Sequence, residues 1–237
     1  MQVADTVAAD TTQIATSPES LTLLDTLLLG GWVMLPIILL SFVVIYLFVE
    51  RMLTLRRATT DPALITERIR DYVRNGNIHG AQAYCEAQDK PITRILKHGL
   101  ERLGRPISEI QDAVNAAGKY EAYELEKRTD LLASIAGIAP MLGFLGTVTG
   151  MIKAFQQIQN LQGNVNPSVL AGGIWEALLT TAAGLIVGII AFFFYNFLLS
   201  RIARLVNDME RSATDFIDLL QTPDPSYRQP RYEESID

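Results

Sequence analysis

Three long apolar stretches divide the chain, and each is long enough to cross a bilayer as a helix. They cover residues 32–49, 131–152 and 170–200, and charged residues close them at one or both ends. A helix needs about 20 apolar residues to cross a hydrocarbon core roughly 30 Å thick. The sequence therefore predicts three transmembrane helices.

The polar segments between and after these spans also carry helical periodicity. Apolar residues recur every three or four positions in the segment before the second span, and again from Ile202 to Leu220 after the third. No segment alternates in the manner of a strand. We therefore expect an all-α membrane protein with three transmembrane helices, of which the second and third extend into a helical cytoplasmic domain.

The expected organisation follows from these spans and from the turn residues between them. Residues 20–31 form a short amphipathic stripe that suits an interfacial helix, although the same residues would also extend the first span. The predicted parts are a flexible outer N-terminus (1–19), the interfacial helix (20–31), the first transmembrane helix (32–50), a cytoplasmic helical domain (51–107), a long helix including the second span (108–157), an outer link (158–169), a long helix including the third span (170–220) and a cytoplasmic tail (221–237).

Cap and turn residues predict where the helices of the cytoplasmic domain begin and end. Asp61 followed by Pro62 is typical of a helix start. Ser108 with Gln111 is typical of a capping box at the start of the next long helix. The helices expected before that box cover residues 62–74, 78–88 and 91–103.

Basic residues are distributed unequally among the polar segments, and this distribution predicts the orientation in the membrane. The segment from Arg51 to Arg128 carries 14 of the 20 Lys and Arg residues, and the tail after the third span carries five. The N-terminus and the link after the second span carry none, and Lys153 lies near the outer side. Because cytoplasmic loops hold the excess of Lys and Arg, we expect the N-terminus outside and the C-terminus inside.

Composition narrows the class of protein. The chain is 49% hydrophobic and 19% charged, which fits a membrane protein with a sizeable aqueous part. One cysteine, Cys85, allows no intrachain disulfide and no cysteine zinc cluster, and core packing explains it better than a reactive thiol. His79 and His98 accompany no nucleophile pattern, so we expect no enzymatic activity, no cofactor and no metal. Acidic residues balance the basic loop, so nucleic-acid binding is not expected.

Glu176 is the candidate functional residue with the strongest physical argument. No charged residue lies between Lys153 and Glu176, and none follows it before Arg201. A charge inside a membrane helix costs about 2.5–3.5 kcal/mol on insertion scales, so such a group normally faces a protein interior or a water path. Two interpretations stay open, a polar site that handles protons and a structural ion pair with Lys153.

The second and third spans each carry a stripe of small and hydroxyl residues. Such a stripe suits close helix packing, and it also suits a narrow pore wall. At 100° per residue Thr180 lies about 40° from Glu176 and Thr181 about 140°, so this geometry favours Thr180 as the hydroxyl on the Glu176 face. The candidate packing and pore-lining residues are Gly143, Thr147 and Gly150 on the second span, and Thr180, Thr181, Gly184 and Gly188 on the third.

Two motifs in these spans resemble the MotA/TolQ/ExbB proton channel family. They are GFLGTVTG at residues 143–150 and EALLTTAAGL at residues 176–185. Three spans with the large loop between the first and second are similar to the ExbB and TolQ members, whereas MotA-type stators have four spans. In this resemblance Thr147 and Thr181 match the pore threonines of the family and Glu176 matches its third-span glutamate. Thr180 is a departure that leaves open which hydroxyl faces the pore.

The resemblance implies a set of partners and a location. The family forms homo-pentamers around a dimer of an ExbD-like single-span protein that carries an intramembrane aspartate. Protons crossing the bacterial inner membrane drive that partner, and a TonB-like protein receives the work for outer-membrane transport. The N-terminus and the link at 158–169 would then be periplasmic, and basic residues near the inner surface, such as Arg201, would contact membrane lipids. A TolQ-type subunit of a cell-envelope maintenance complex and a non-conducting helical scaffold remain alternatives. The long acidic N-terminus favours the ExbB type.

Overall fold

The computed structural model describes residues 30–160 and 167–221, and all regular structure in these ranges is α-helical. Expectations for residues 1–29, for 161–166 in the outer link and for the tail after residue 221 lie outside the described residues. The helices are α1 (Gly31–Ala58), α2 (Pro62–Arg74), α3 (Ile78–Gln88), α4 (Pro91–Leu100), α5 (Ile107–Glu126), α6 (Thr129–Asn160) and α7 (Pro167–Gln221).

Within the part of the chain that the structure describes, three helical stretches are long and apolar enough to cross a membrane. They lie within Gly31–Arg74, Ile107–Asn160 and Leu170–Gln221, and their most apolar windows have mean hydropathies of 2.7, 1.9 and 2.4. Each stretch continues beyond its apolar window as helix. The predicted fold class, an all-α membrane protein with three spans, is therefore confirmed.

The chain divides into two compact units. Among the described residues, unit 1 contains those up to Phe42 together with those in Gly137–Ile189, and unit 2 contains Val43–Ala136 together with those from Ile190 onward. Helix α1 contributes its first half to unit 1. Helices α2 to α5 lie wholly in unit 2.

Unit 2 is built around α4, the most completely buried of its short helices. Pro91 at the first turn supplies the fixed φ angle that suits a helix start. Buried α4 side chains include Ile95 and Leu96, which are 1% and 0% exposed. The ring of Phe216 on α7 packs so closely on Gly99 that a Cβ there would lie 2.5 Å from it. Unit 2 therefore has a core of large side chains.

A charged network lies at the edge of this core. The Arg94 guanidinium donates two hydrogen bonds to the Glu121 carboxylate, at 2.7 and 2.6 Å, and a third to Asp89 at 2.8 Å. Glu121 is 6% exposed, so its charge needs this partner. Hydrogen bonding to Glu121 holds the pKa of Arg94 well above its ordinary value.

The helix boundaries agree with the sequence prediction at some ends and differ at others. Asp61 caps α2 by accepting from the Ala63 N–H, as its pairing with Pro62 predicts. The capping box predicted at Ser108 was wrong, because α5 begins one residue earlier, after Pro106, and has no side-chain cap.

The second span also differs from the prediction of a single long helix. Where one helix is expected over residues 108–157, the structure has α5 and α6. The first ends at Glu126 and the second begins at Thr129. Arg128 adopts a φ of 69°, which an α-helix cannot include. A residue other than glycine that adopts a left-handed backbone conformation cannot be recognised from its residue type. The hydrophobic periodicity therefore did not predict this break.

Candidate functional site

Helices α6 and α7 approach each other in unit 1 through positions that lack a side chain. A methyl group added at Gly184 would lie 2.6 Å from the Ala139 carbonyl oxygen and 2.9 Å from Gly143 Cα. One added at Gly150 would lie 3.0 Å from Ala177 Cβ. Glycine is required at such positions because the backbones themselves are in contact.

Gly143 and Gly188 belong to the same set of small residues. A methyl group at Gly143 would lie 3.0 Å from the Thr180 carbonyl oxygen and 3.1 Å from Thr181 Cα. Gly188 is buried. Gly143, Gly150 and Gly184 thus lie where the two helices pack, and the close approach there brings the threonines of α7 against α6.

The threonine hydroxyl groups of the site all donate hydrogen bonds to backbone carbonyl oxygens. Thr181 donates across the helix pair to the Gly143 carbonyl oxygen at 2.9 Å. Thr147 donates to the Phe144 carbonyl oxygen of its own helix at 2.6 Å. Both side chains remain partly exposed.

Thr180 occupies a different environment from Thr181. It is 1% exposed and donates to the Ala177 carbonyl oxygen at 2.9 Å. Its hydroxyl lies directly against Gly146, so that a side chain at Gly146 would overlap it. Thr180 and Glu176 do share a face of α7, as the helical angle predicts. Within one chain that face is occupied by α6, and Thr180 contributes to packing there.

Glu176 forms an ion pair with Lys153. The Lys153 ammonium on α6 lies 2.7 Å from Oε1 of the Glu176 carboxylate on α7. The two side chains are 44% and 24% exposed. This geometry is compatible with both interpretations of Glu176, a structural ion pair with Lys153 and a polar site that handles protons. The pair links the helices as a lock would, and its partial exposure leaves the carboxylate accessible.

A third helix reaches the same carboxylate. Gly31 is the first residue of α1 and has a φ of 66°, and a Cβ on it would overlap Oε1 of Glu176. The sequence prediction placed Gly31 at the end of the interfacial helix at residues 20–31 and missed this contact. The signal available was the pair Gly30–Gly31 directly before an apolar run, which predicts a bend but not its neighbours.

The remaining candidate residues belong to unit 2. Burial raises the pKa of the Cys85 thiol to about 11, which disfavours the reactive thiolate. His98 lies 3.4 Å from the Glu101 carboxylate on an exposed surface. Within the described ranges, no three His, Cys, Asp or Glu side chains cluster in a way that could hold a metal ion.

The sequence between α3 and the middle of α7 matches a known family model. Residues 87–211 match the MotA/TolQ/ExbB proton channel family. The chain belongs to this family. The resemblance expected from the motifs at 143–150 and 176–185 is thereby confirmed, and both motifs lie inside the matched segment.

Relatives along most of the chain support the same assignment. An ExbB-like biopolymer transport protein of Synechocystis is 33% identical over 195 residues, which cover 79% of this chain and 76% of that protein. The biopolymer transport protein ExbB of Neisseria meningitidis serogroup B is 30% identical and covers 81% of this chain and 90% of that protein. The Tol-Pal system protein TolQ of Haemophilus influenzae is 36% identical over 46% of each chain.

Membership of the MotA/TolQ/ExbB family settles the general class of the protein. It is a multi-pass transmembrane protein of a proton-channel family. Because the family transports ions and catalyses no covalent reaction, the prediction that the chain is not an enzyme is confirmed.

Proposed function

We propose that the chain is the ExbB-type pore subunit of a proton-driven motor that energises outer-membrane transport through a TonB-like protein. The observation that carries this proposal is the extent of similarity. Alignment with the Neisseria ExbB covers 90% of that protein, whereas alignment with the Haemophilus TolQ covers 46%. The acidic N-terminus supports the same choice.

The proposed assembly is a homo-pentamer in the bacterial inner membrane around a dimer of an ExbD-like single-span protein. In this proposal the N-terminus and the link at 158–169 are periplasmic, and the C-terminus is cytoplasmic. The concentration of Lys and Arg between Arg51 and Arg128 supports the orientation. The same basic residues would attract anionic lipid headgroups at the inner surface.

The proposed proton site combines hydroxyl groups with one ion pair. Thr147 and Thr181 are partly exposed and would be the polar contacts for the intramembrane aspartate of the partner. Thr180, which is buried within the chain, would support the wall behind them. Glu176 with Lys153 would set the charge at the outer entrance.

One elementary charge crossing 100 mV releases about 2.3 kcal/mol, so a few protons supply useful mechanical work.

Substitution at the site tests this function in cells that lack the native gene and express its partners. We expect Glu176→Ala, or Thr147→Val combined with Thr181→Val, to abolish energised uptake while the complex still assembles. Glu176→Gln separates loss of charge from loss of hydrogen bonding. Thr149→Val is a matched control, because Thr149 makes a similar hydrogen bond within its own helix, to the Leu145 carbonyl oxygen at 3.0 Å, but lies two residues along α6 from Thr147 and so on the opposite side of the helix. Normal uptake by a well-expressed Glu176→Ala complex would exclude a transport role for the carboxylate.

The ExbB and TolQ types predict different losses when the gene is deleted. An ExbB-type subunit supports uptake through outer-membrane receptors, so its deletion should stop uptake and leave the envelope intact. A TolQ-type subunit maintains the envelope, so its deletion should cause sensitivity to detergents and leakage of periplasmic protein. Measuring both phenotypes in one deletion strain decides between the two.

The Lys153–Glu176 ion pair favours a second candidate, a non-conducting scaffold that the pair holds closed. Lys153→Ala separates this candidate from the channel. Collapse of the purified assembly, followed by size-exclusion chromatography, supports the lock. An intact assembly whose proton flux in vesicles changes its pH dependence supports the channel.

A further inference from the structure

We propose that Gly31 is a positioning residue that holds the Glu176 carboxylate beside Lys153. The absence of a side chain at the start of α1 creates the space that the carboxylate occupies. The inference deepens the site of the proposed function and rests on that function only for its transport readout.

The first argument is steric. A Cβ built on Gly31 would overlap Oε1 of Glu176 and would lie 3.0 Å from its Cδ. The same Cβ would lie 3.4 Å from Nζ of Lys153. Both members of the ion pair therefore lie against this one backbone position. Any side chain there would push the carboxylate away from the ammonium group.

The second argument is electrostatic. Gly31 is the first residue of α1, a helix of 28 residues. The first N–H groups of a helix have no partner within it, and the helix dipole makes that end positive. The Glu176 carboxylate thus lies near two positive groups, the Lys153 ammonium group and the start of α1. Attraction to both favours the position of the carboxylate next to Gly31.

Gly30 serves as an internal control, because it differs from Gly31 both in the atoms that surround it and in its backbone conformation. The nearest atoms to a Cβ on Gly30 all belong to the Met34 side chain, at 3.1–3.2 Å, and none belongs to the ion pair. Gly31 in contrast has a φ of 66°, which disfavours side chains whatever the space. A test must therefore separate the collision with Glu176 from this backbone strain.

A double-mutant cycle makes that separation. Gly31→Ala is combined with Glu176→Asp, whose shorter side chain withdraws the carboxylate from Gly31. Backbone strain at residue 31 is the same with either acid and cancels in the cycle. The four complexes, purified with the partner protein, are compared by Tm and by proton-driven uptake in cells. Gly30→Ala is carried through both measurements and should stay close to the native complex.

We expect Gly31→Ala to lower both Tm and uptake, because the added methyl group overpacks a tight contact and moves the carboxylate away from Lys153. Its Tm loss should be clearly smaller in the Glu176→Asp background than in the native one. If Gly31→Ala alone does not assemble, recovery of assembly by Glu176→Asp supports the inference. Equal Tm losses in both backgrounds, or a failure of Glu176→Asp to restore assembly, would overturn it. Coupling in Tm alongside normal uptake by Glu176→Ala would keep the positioning role and exclude a transport role for the carboxylate.

Discussion

The two units of the chain reach a packed interior by opposite means. Unit 2 is packed around a core of large buried side chains such as Leu96 and Phe216, as a water-soluble helical domain is. In unit 1, α6 and α7 lie close together at positions such as Gly143 and Gly184, where backbone meets backbone. Apolar burial gives little advantage between helices in lipid, so unit 1 depends on close approach instead.

This difference determines how each unit responds to a change in volume. A core of large side chains loses stability when atoms are removed, because a cavity remains. A backbone contact loses stability when an atom is added, because no side chain can move aside. The comparison therefore predicts opposite sensitivities in the two units, and substitutions in each can test it.

The largest effect is expected in unit 2 from removing the Phe216 ring. Phe216 is 1% exposed and packs against Gly99. Phe216→Ala should lower the free energy of unfolding by about 3–5 kcal/mol, the usual cost of emptying such a site. Denaturant titration of the purified protein in detergent measures it. Tyr120→Ala is the control, because Tyr120 is 63% exposed. Similar losses for the two variants would contradict a core centred on Phe216.

A smaller effect of the opposite kind is expected in unit 1 from adding one methyl group. Gly184→Ala places that group against the Ala139 carbonyl oxygen and should cost about 1–3 kcal/mol. Gly172→Ala on the same helix is the matched control, since a Cβ there has nothing within 4 Å. The control should be neutral or stabilise α7 by up to about 1 kcal/mol through helix propensity. Thermal unfolding of the two variants side by side gives the difference, and a tolerated Gly184→Ala would remove the distinction between the units.

Cys85 in unit 2 is expected to have the smallest effect on stability near neutral pH. Because burial raises the pKa of this thiol to about 11, the folded chain keeps its proton where an unfolded chain releases it, near pH 9. The thiol therefore leaves stability intact below about pH 9 and lowers it as the pH rises toward 11. Alkylation by iodoacetamide at pH 8 should be slow in the native protein and faster in Phe216→Ala. Rapid alkylation of the native protein would show that unit 2 opens more readily than its core suggests.

Local sequence signals predicted the short helices of unit 2 better than the ends of its long ones. The pair Asp61–Pro62 determines a helix start through its own backbone and side-chain preferences, so the start of α2 follows from two residues. The prediction of a capping box at Ser108 failed because Pro106 already fixes the backbone before Ile107. The left-handed conformation of Arg128 depends on what surrounds it, and no local preference predicts it.

The candidate site shows the same division between local and tertiary information. Glu176 and Lys153 were recognisable as a possible pair because both are charged and both lie at one end of apolar runs. The helical angle also placed Thr180 correctly on the Glu176 face. It did not indicate that α6 would cover that face, nor that the Thr181 hydroxyl would reach Gly143, because both depend on how two helices pack. The contact of Gly31 with Glu176 depends on three helices and is the least accessible to sequence.

The hydrogen bonds of Thr147 and Thr181 have a consequence for any carboxyl group that enters the site. Each hydroxyl already gives its single proton to a backbone carbonyl oxygen, of Phe144 and Gly143 respectively. What each still offers is a lone pair, which can accept a proton donor but gives nothing to another acceptor. A neutral carboxylic acid, which has a proton to donate, would find a partner at once. An ionised carboxylate would be held only after a threonine had released its backbone bond, so under the proposed function these two hydroxyls would favour the protonated form of the partner's aspartate over the ionised form.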